Sequence, residues 1–245
     1  MRGPYDGVWN VVRFNWPKYL MGFLVILVCS ILAMNATSSW RITLLVLAFV
    51  GLVAMILPTL ASHYIYDRSV LYRMPWLDGL PIPETIVAIN AGFDEISPAL
   101  RERYSHATLD VFDFYDPAMH TEPSIERARR AYPPATGVRK TATDLLPIPD
   151  HSVELVVAFL SLHEVRDHGE RVRFLSEIRR TLNPAGHLVV TEHLRDSVNF
   201  IAFNFGFLHF HSPIVWKSAF TASGLAVERQ VRTTPFITTY ILAPQ

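Results

Sequence analysis

The residues VELVVAFLSLHEV (153–165), RVRFLSEIRRTLNPAG (171–186) and HLVVTEH (187–193) decide the fold. Val153 to Leu160 is a short apolar run rich in β-branched side chains, the composition of a strand covered on both faces. It follows the turn cluster Pro147, Pro149 and Asp150, and gives way to the polar Ser161, His163 and Glu164. From Arg171 to Leu182 the period changes. Val172, Leu175, Ile178 and Leu182 recur at helical spacing, while Glu170, Arg173, Glu177, Arg179 and Arg180 take the other face. Asn183-Pro184-Ala185-Gly186 stops that helix, because proline cannot continue the backbone ladder and glycine accepts the turn. Leu188 to Thr191 reads as a second strand. Strand, helix, strand with short connections is a right-handed crossover in a parallel sheet.

Upstream, Thr85 to Asn90 (TIVAIN) reads as the first strand and runs into Ala91-Gly92-Phe93-Asp94-Glu95, after which Ser97-Pro98 supplies a helix cap and a first-turn proline. Leu109 to Phe112 is the second strand and ends in Asp113. Helix Ser124 to Tyr132 is stopped by Pro133-Pro134, and Val138 to Ala142 is the third strand. Downstream, SVNFIAFNFGFLHFH (197–211) is rich in phenylalanine. Ser212-Pro213 caps a helix to Ala222, Gly224 ends it, and Leu225 to Val231 with Phe236 to Leu242 forms an antiparallel hairpin.

The wording DLLPIPDHSVELVVAFLSLHEV (144–165) and FLSEIRRTLNPAGHLVVTEH (174–193) resembles the class I S-adenosylmethionine-dependent methyltransferases. In that family an LPFPD-like turn, an LH-like strand end and an E-x-x-R-x-L-x-P-G-G helix exit recur in this order. The resemblance spans Glu84 to Leu242 and implies a doubly wound, seven-stranded, mostly parallel α/β sheet closed by the terminal hairpin. It also implies S-adenosylmethionine as cofactor, with Asn90, Gly92, Asp113, Phe114, Thr143 and Asp144 as its candidate ligands. A glycine turn feeding a helix N-terminus offers backbone N–H groups to the carboxylate of the methionine part. Asp113 lies about 20 residues past that turn, where a doubly wound fold sets an acid against ribose hydroxyls. Asp144 falls either near the adenine amino group or in a turn cap. The turn departs from the family: Asn90 stands near its acidic position, and Gly92 alone remains of its two or three glycines. G-x-G-x-x-G, which a nicotinamide-dependent oxidoreductase would carry, is absent.

Ahead of this domain, Tyr19 to Ala36 and Ile42 to Leu60 are two uncharged apolar runs of about 18 residues each, enough to cross a hydrocarbon core. Trp16, Tyr19, Trp40, Tyr64 and Tyr66 flank them as interfacial anchors do. Arg2, Arg13 and Lys18 precede the first run and Arg68 and Arg73 follow the second, whereas the connection holds only Arg41, so both ends face the cytoplasm. The expected organisation is a membrane hairpin over residues 1–60, an interfacial linker over 61–83 and a methyltransferase domain over 84–245 on the cytoplasmic side of the cell membrane.

Charge excludes one class of partner. Formal net charge is zero and charged residues make up 18%, so no basic nucleic-acid surface is available. Cys29, the single cysteine, permits neither a disulfide framework nor a thiolate metal site.

Ligands of open parallel sheets bind outside the carboxyl ends of the strands. His163, Glu164, Glu192 and His193 are stranded there and are the candidate catalytic groups; His163 reads as a base or substrate-orienting group, or as a structural hydrogen bond. His209 and His211, amid phenylalanines and without cysteines or carboxylates at ligand spacing, read as core or pocket residues, and no metal is expected. The reading that results is a membrane-anchored methyltransferase acting on a lipophilic small molecule. The alternative is a fold that has lost catalysis and serves as a membrane-bound binding or assembly module. The oligomeric state leaves no mark on the sequence.

Overall fold

The computed structural model describes residues 3–245. They form two compact units: one holds the chain up to Ser69 together with Ser197–Phe207, the other Val70–Asp196 with Leu208–Gln245.

The first unit opens on α1 (Asp6–Phe14), a short helix that the sequence reading passes over. Its amino end is held by Asp67, whose carboxylate accepts from the Gly7 and Val8 amides at 2.7 and 3.0 Å and lies 3.0 Å from His63 Nδ1. An acid there satisfies helix donors that have no partner in their own turn. The two apolar runs form α2 (Trp16–Asn35) and α3 (Ser38–His63), both long and apolar enough to cross a membrane. They cross closely because a Cβ on Gly22 would lie 2.7 Å from Met55 Sδ, and one on Gly51 3.2 Å from Ile26 Cγ1. Arg41 closes the connection. Its Nε and Nη2 donate to the carbonyls of Ala33 and Ala36 at 3.2 and 3.4 Å, satisfying the end of α2.

The outer faces of both helices stay apolar. Phe23, Leu24, Val46 and Phe49 are exposed, and Ala33 is the one buried residue of α2, whereas a core helix would bury a continuous stripe. Arg2, counted among the basic residues ahead of the first run, lies outside the described residues.

In the second unit the chain runs β1 (Thr85–Asn90), α4 (Ser97–Arg103), β2 (Thr108–Asp113), α5 (Pro123–Ala131), β3 (Arg139–Lys140), β4 (Val153–Phe159), α6 (His168–Thr181) and β5 (Leu182–His193). After α7 (Ser197–Phe203), which clusters with the first unit, come α8 (Pro213–Ala222), β6 (Leu225–Thr234) and β7 (Ile237–Pro244). The seven strands are ordered β3-β2-β1-β4-β5-β7-β6, parallel as far as β5, with β7 antiparallel to both its neighbours. This is the expected doubly wound sheet, and its order reverses between β1 and β4, where such sheets open a crevice. Val87, Ile89, Val156, Val190, Phe174 and Trp216 build the core between sheet and helices.

Several elements differ from expectation. The third strand is two exposed residues, not Val138 to Ala142, since this edge segment has no apolar face to bury. Ser97 is the first residue of α4, not its cap; Ile96 stands at the N-cap, and Asp94 accepts from the amides of Ile96 and Ser97 at 3.1 and 3.0 Å. Helix α6 starts at His168 because Asp167 accepts from the Glu170 amide at 2.7 Å, and Glu170, expected on the solvent face, is buried. Residues 183–186 do not separate helix from strand; they form an irregularity at the start of β5, where the register against β4 shifts between Val153 and Leu155. Gly186 is required there, because a Cβ would lie 2.8 Å from the Val153 carbonyl oxygen.

The expected linker divides. From Val70 onward it belongs to the sheet unit, where Leu71, Trp76 and Leu77 are fully buried. Trp76 stacks on Phe159 at 6.3 Å, and its carbonyl accepts from Arg229 at 2.9 Å. The phenylalanine-rich stretch divides as well. Residues Ser197–Phe207 cluster with the apolar hairpin, Asn204 Nδ2 donating to the Ala54 carbonyl at 3.1 Å, while Leu208 onward belongs to the sheet unit.

Candidate active site

Two groups of side chains occupy the carboxyl ends of the central strands. The first lies at the ends of β1 and β2, where Asn90 and Asp113 stand side by side in register. Asn90 Oδ1 accepts from the Gly92 amide at 2.6 Å, while its Nδ2 is buried without a partner among the described residues. A buried amide donor left unpaired costs about 1–3 kcal/mol, and a ligand oxygen would relieve it. Gly92 turns the chain at φ +87°, a conformation that glycine adopts without strain.

Asp113 Oδ1 accepts from the Tyr115 amide at 2.9 Å, and Oδ2 from Arg129 Nη1 at 2.7 Å. Arg129 reaches back from α5. Its Nη1 also donates to the Ala91 carbonyl at 3.0 Å, and its guanidinium lies over the Tyr115 ring at 4.3 Å. A Cβ at Gly92 would fall on that guanidinium. Nothing in the sequence singles out Arg129, since α5 offers Arg127, Arg129 and Arg130 alike. Beside it a cavity of about 450 Å³ is lined by Tyr115, Pro117, Thr121, Glu126, Arg129 and Arg130.

The remaining candidates for cofactor contact are Phe114, whose amide donates to the Asn90 carbonyl at 3.0 Å, Thr143 and Asp144. Phe114 is a core side chain, 5.1 Å from Phe174. Thr143 donates to Glu170 Oε1 at 2.8 Å, and the same oxygen lies 3.3 Å from Nε2 of His120, a buried histidine that the sequence reading missed. Asp144 is exposed.

The second group follows β4 and β5. Leu160, at φ +49°, turns the chain so that the amides of Ser161 and His163 point at Glu192, donating to its Oε1 at 3.1 and 3.2 Å. Ser161 Oγ donates to the Ile89 carbonyl at 3.1 Å, tying this turn to the end of β1. His163 Nδ1 donates to Glu192 Oε2 at 2.6 Å, and its Nε2 lies 3.4 Å from Glu164 Oε1. His209 brings its Nε2 to 3.5 Å from the same Glu164 oxygen and its Nδ1 to 3.6 Å from Glu122 Oε2, with Arg166 also at that nitrogen. His193 stacks on Phe210 at 4.6 Å.

These contacts set the charges. Burial opposes a proton on His163, but Glu192 and Glu164 outweigh it and push the pKa up to about 10. Burial likewise opposes ionisation of Glu164, and hydrogen bonding to His163 and His209 outweighs it, holding the carboxyl well below its usual range. His209 is driven down, first by burial. His163 is thus an imidazolium held between two carboxylates, a donor and an orienting group. His211 is structural: burial first, then the charge of Arg171 at 2.9 Å, push its pKa down to about 3.

Residues 93–190 match the family model described as a methyltransferase domain. This stretch lies within the sheet unit, which has the Rossmann-like methyltransferase fold. Among solved structures, a SAM-dependent methyltransferase from Aquifex aeolicus is 15% identical with a TM-score of 0.56, covering 78% of this chain and 98% of its own. An O-methyltransferase family 2 protein from Planctomyces limnophilus, in complex with apigenin, is 11% identical with a TM-score of 0.52, covering 79% of this chain. Human N-acetylserotonin methyltransferase, in complex with SAM, is 16% identical with a TM-score of 0.51, covering 80%. The match spans only 61% and 56% of the last two chains. At such identities the likeness is one of fold. No curated protein matches.

The ends of β1 and β2 fit S-adenosylmethionine, the cofactor that the methyltransferase resemblance implies. Asn90 Nδ2 is an unpaired buried donor, the Gly92 turn lacks a side chain where an anionic group would approach, and Asp113 is the acid expected to meet the ribose. The fit requires Arg129 to leave the glycine turn, which its guanidinium covers.

Proposed function

We propose that the protein is a membrane-anchored methyltransferase whose acceptor is a lipophilic small molecule resident in the bilayer, such as a quinone precursor, an isoprenoid or a phospholipid headgroup. The observation that carries this reading is the clustering of Ser197–Phe207 with the two apolar helices. Phe205 is 80% exposed and Ile201 65%, so the segment adds apolar surface to that of α2 and α3. Covalently it joins the strand ending in Glu192 and His193 to His209, so a membrane-facing stretch begins and ends beside candidate catalytic residues. The basic flanks support a hairpin with both ends, and hence the methyltransferase domain, in the cytoplasm.

Bound S-adenosylmethionine supplies an electrophilic methyl group on a sulfonium, and little covalent help is then needed beyond alignment of the acceptor atom. Asn90, Gly92 and Asp113 hold the cofactor. His163, fixed by Glu192 on one ring nitrogen, presents the other beside Glu164 and orients the acceptor by hydrogen bonding. Glu164, held ionised, keeps His163 charged and fixes its orientation toward the acceptor. His193, stacked on Phe210, and Phe210 itself supply an apolar wall.

To test this, full-length protein and methyl-labelled cofactor are incubated with a total lipid extract and, separately, with the water-soluble metabolites of the same cells. Label in the lipid fraction supports the reading. Label only in the aqueous fraction overturns it.

One observation favours the second reading, a catalytically silent binding or assembly module: Arg129 covers the glycine turn and occupies Asp113. Calorimetric titration with S-adenosylmethionine separates the two, because a silent module with a blocked turn takes up no cofactor.

A further inference from the structure

His163, Glu164 and His209 each bring one ligand atom to within 4.8 Å of the others. His163 Nε2 and His209 Nε2 lie 3.4 and 3.5 Å from Glu164 Oε1. Zinc held by nitrogen or oxygen at about 2.0–2.2 Å in a tetrahedron has ligand atoms separated by roughly 3.3–3.6 Å, so the carboxylate oxygen already stands at the right edge length from both imidazoles.

The surroundings match on the far side of His163, and a carboxylate is near the far side of His209. Metal-bound imidazole almost always gives its other N–H to a carboxylate, carbonyl or water, which fixes the tautomer and raises the ring's basicity. His163 Nδ1 donates to Glu192 at 2.6 Å, and His209 Nδ1 has Glu122 at 3.6 Å. Glu192 is itself locked by the amides of Ser161 and His163. His163 thus sits between a backing carboxylate and the shared Glu164, while His209 has the Arg166 guanidinium at its Nδ1 and Glu122 within 3.6 Å of the same nitrogen. His209 keeps 21% of its side-chain surface open and His163 11%, which leaves a side from which an ion and a further ligand can enter.

We propose that His163 Nε2, His209 Nε2 and Glu164 form a binding site for one divalent transition-metal ion, zinc foremost, with at least one position left open. Two imidazoles and one carboxylate make a borderline set that favours such ions over magnesium or calcium, which call for oxygen ligands. Loading exchanges the proton on His163 Nε2 for the ion and releases it to solvent. At His209 the proton moves to Nδ1, which passes from the Arg166 guanidinium to Glu122. Any use of the open position to hold an acceptor oxygen or nitrogen rests on the methyl-transfer reading above; the binding of the ion does not.

The test uses the full-length chain, stripped with a chelator, then dialysed against zinc and counted by elemental analysis. Cobalt serves as the spectroscopic probe, since tetrahedral coordination by nitrogen and oxygen gives it visible absorption bands. The expected result is one tightly held equivalent. In His209→Ala and Glu164→Gln the affinity falls at least tenfold, and in His106→Ala, an exposed histidine far along the chain, it stays unchanged. Glu192→Gln weakens it by about 10–100-fold, as loss of a backing carboxylate does. Calorimetric binding of S-adenosylmethionine in the same variants reports that the sheet unit is folded. Failure to retain an equivalent in folded protein, or equal affinity in wild type and His209→Ala, overturns the site. Metal retention without methyl transfer to any acceptor leaves the site standing and counts against the functional reading alone.

Discussion

Arg129 Nη1 lies 2.7 Å from Asp113 Oδ2, so the acid expected to meet the ribose is already neutralised by a side chain of the same chain. The pair is buried, Asp113 fully and Arg129 to all but 14% of its side chain. A hydrogen bond to a charged group contributes about 1.5–3 kcal/mol, and cofactor binding must give this one up. Arg129→Met keeps the aliphatic stem and removes the competitor. The expected outcome is S-adenosylmethionine binding tightened by about tenfold or more, together with a less stable cofactor-free protein, because Asp113 is left a buried charge without its cationic partner. Calorimetry and thermal melts with and without cofactor measure both. Weaker binding in the variant would instead make Arg129 a cofactor ligand.

Asp113→Ala removes the acid itself. Cofactor affinity should fall by about 1.5–3 kcal/mol, the worth of hydrogen bonds to a charged group. The double variant with Arg129→Met gives the coupling between the two, and unchanged affinity in folded Asp113→Ala would remove Asp113 from the site.

Gly186→Ala probes the irregular start of β5. Its Cβ would meet the Val153 carbonyl oxygen at 2.8 Å, closer than carbon and oxygen tolerate, and both atoms belong to strands whose backbone cannot shift freely. Overpacking of this kind costs about 1–3 kcal/mol. The sheet unit should melt earlier, and a melting temperature equal to wild type would show that the irregularity absorbs the methyl group.

The elements with local signatures were legible in the sequence. Residues 153–193 announce strand, helix and strand through a change of hydrophobic period, and the apolar runs of α2 and α3 announce themselves by length. What escaped depends on contacts between segments far apart in the chain. Arg129 is one of three arginines on α5, and only the fold turns it toward Gly92. His209 reads as one more residue in an aromatic stretch until β4, β5 and the segment after α7 bring it to Glu164. Trp76 lies in a linker of membrane-surface composition, yet its burial is decided by Phe159 and Arg229. The second half of the phenylalanine-rich stretch returns to the sheet through the bridge between Leu194 and His211, a pairing no local pattern encodes.

Topology follows from the basic flanks of the two helices. With Cys29 replaced, a cysteine introduced at Ser38, in the connection, should react with an impermeant thiol reagent added to intact cells. Labelling that appears only after the cells are opened would reverse the orientation and put the methyltransferase domain outside.

The last prediction concerns how a lipophilic acceptor reaches the domain. Ser197–Phe207 leaves the sheet unit after Asp196 and re-enters it at Leu208, next to His209, and between these points it clusters with the apolar hairpin. If the hairpin spans the membrane as proposed, two helices suffice to hold the protein there, and the exposed Phe205 and Ile201 are not needed for attachment. On the proposed function, this segment lies at the headgroup boundary and sets the local surface from which the acceptor is drawn. Ile201→Glu with Phe205→Glu places two charges on that surface. Membrane association, judged by flotation, and cofactor affinity, judged by calorimetry, should stay at wild-type values, because the hairpin and the ends of β1 and β2 are untouched. The apparent KM for an acceptor presented in vesicles should rise several-fold with little change in kcat, since the loss is of capture and not of chemistry. Unchanged KM would make the segment a structural brace for α3, and a matching fall in kcat would point to displacement of His209.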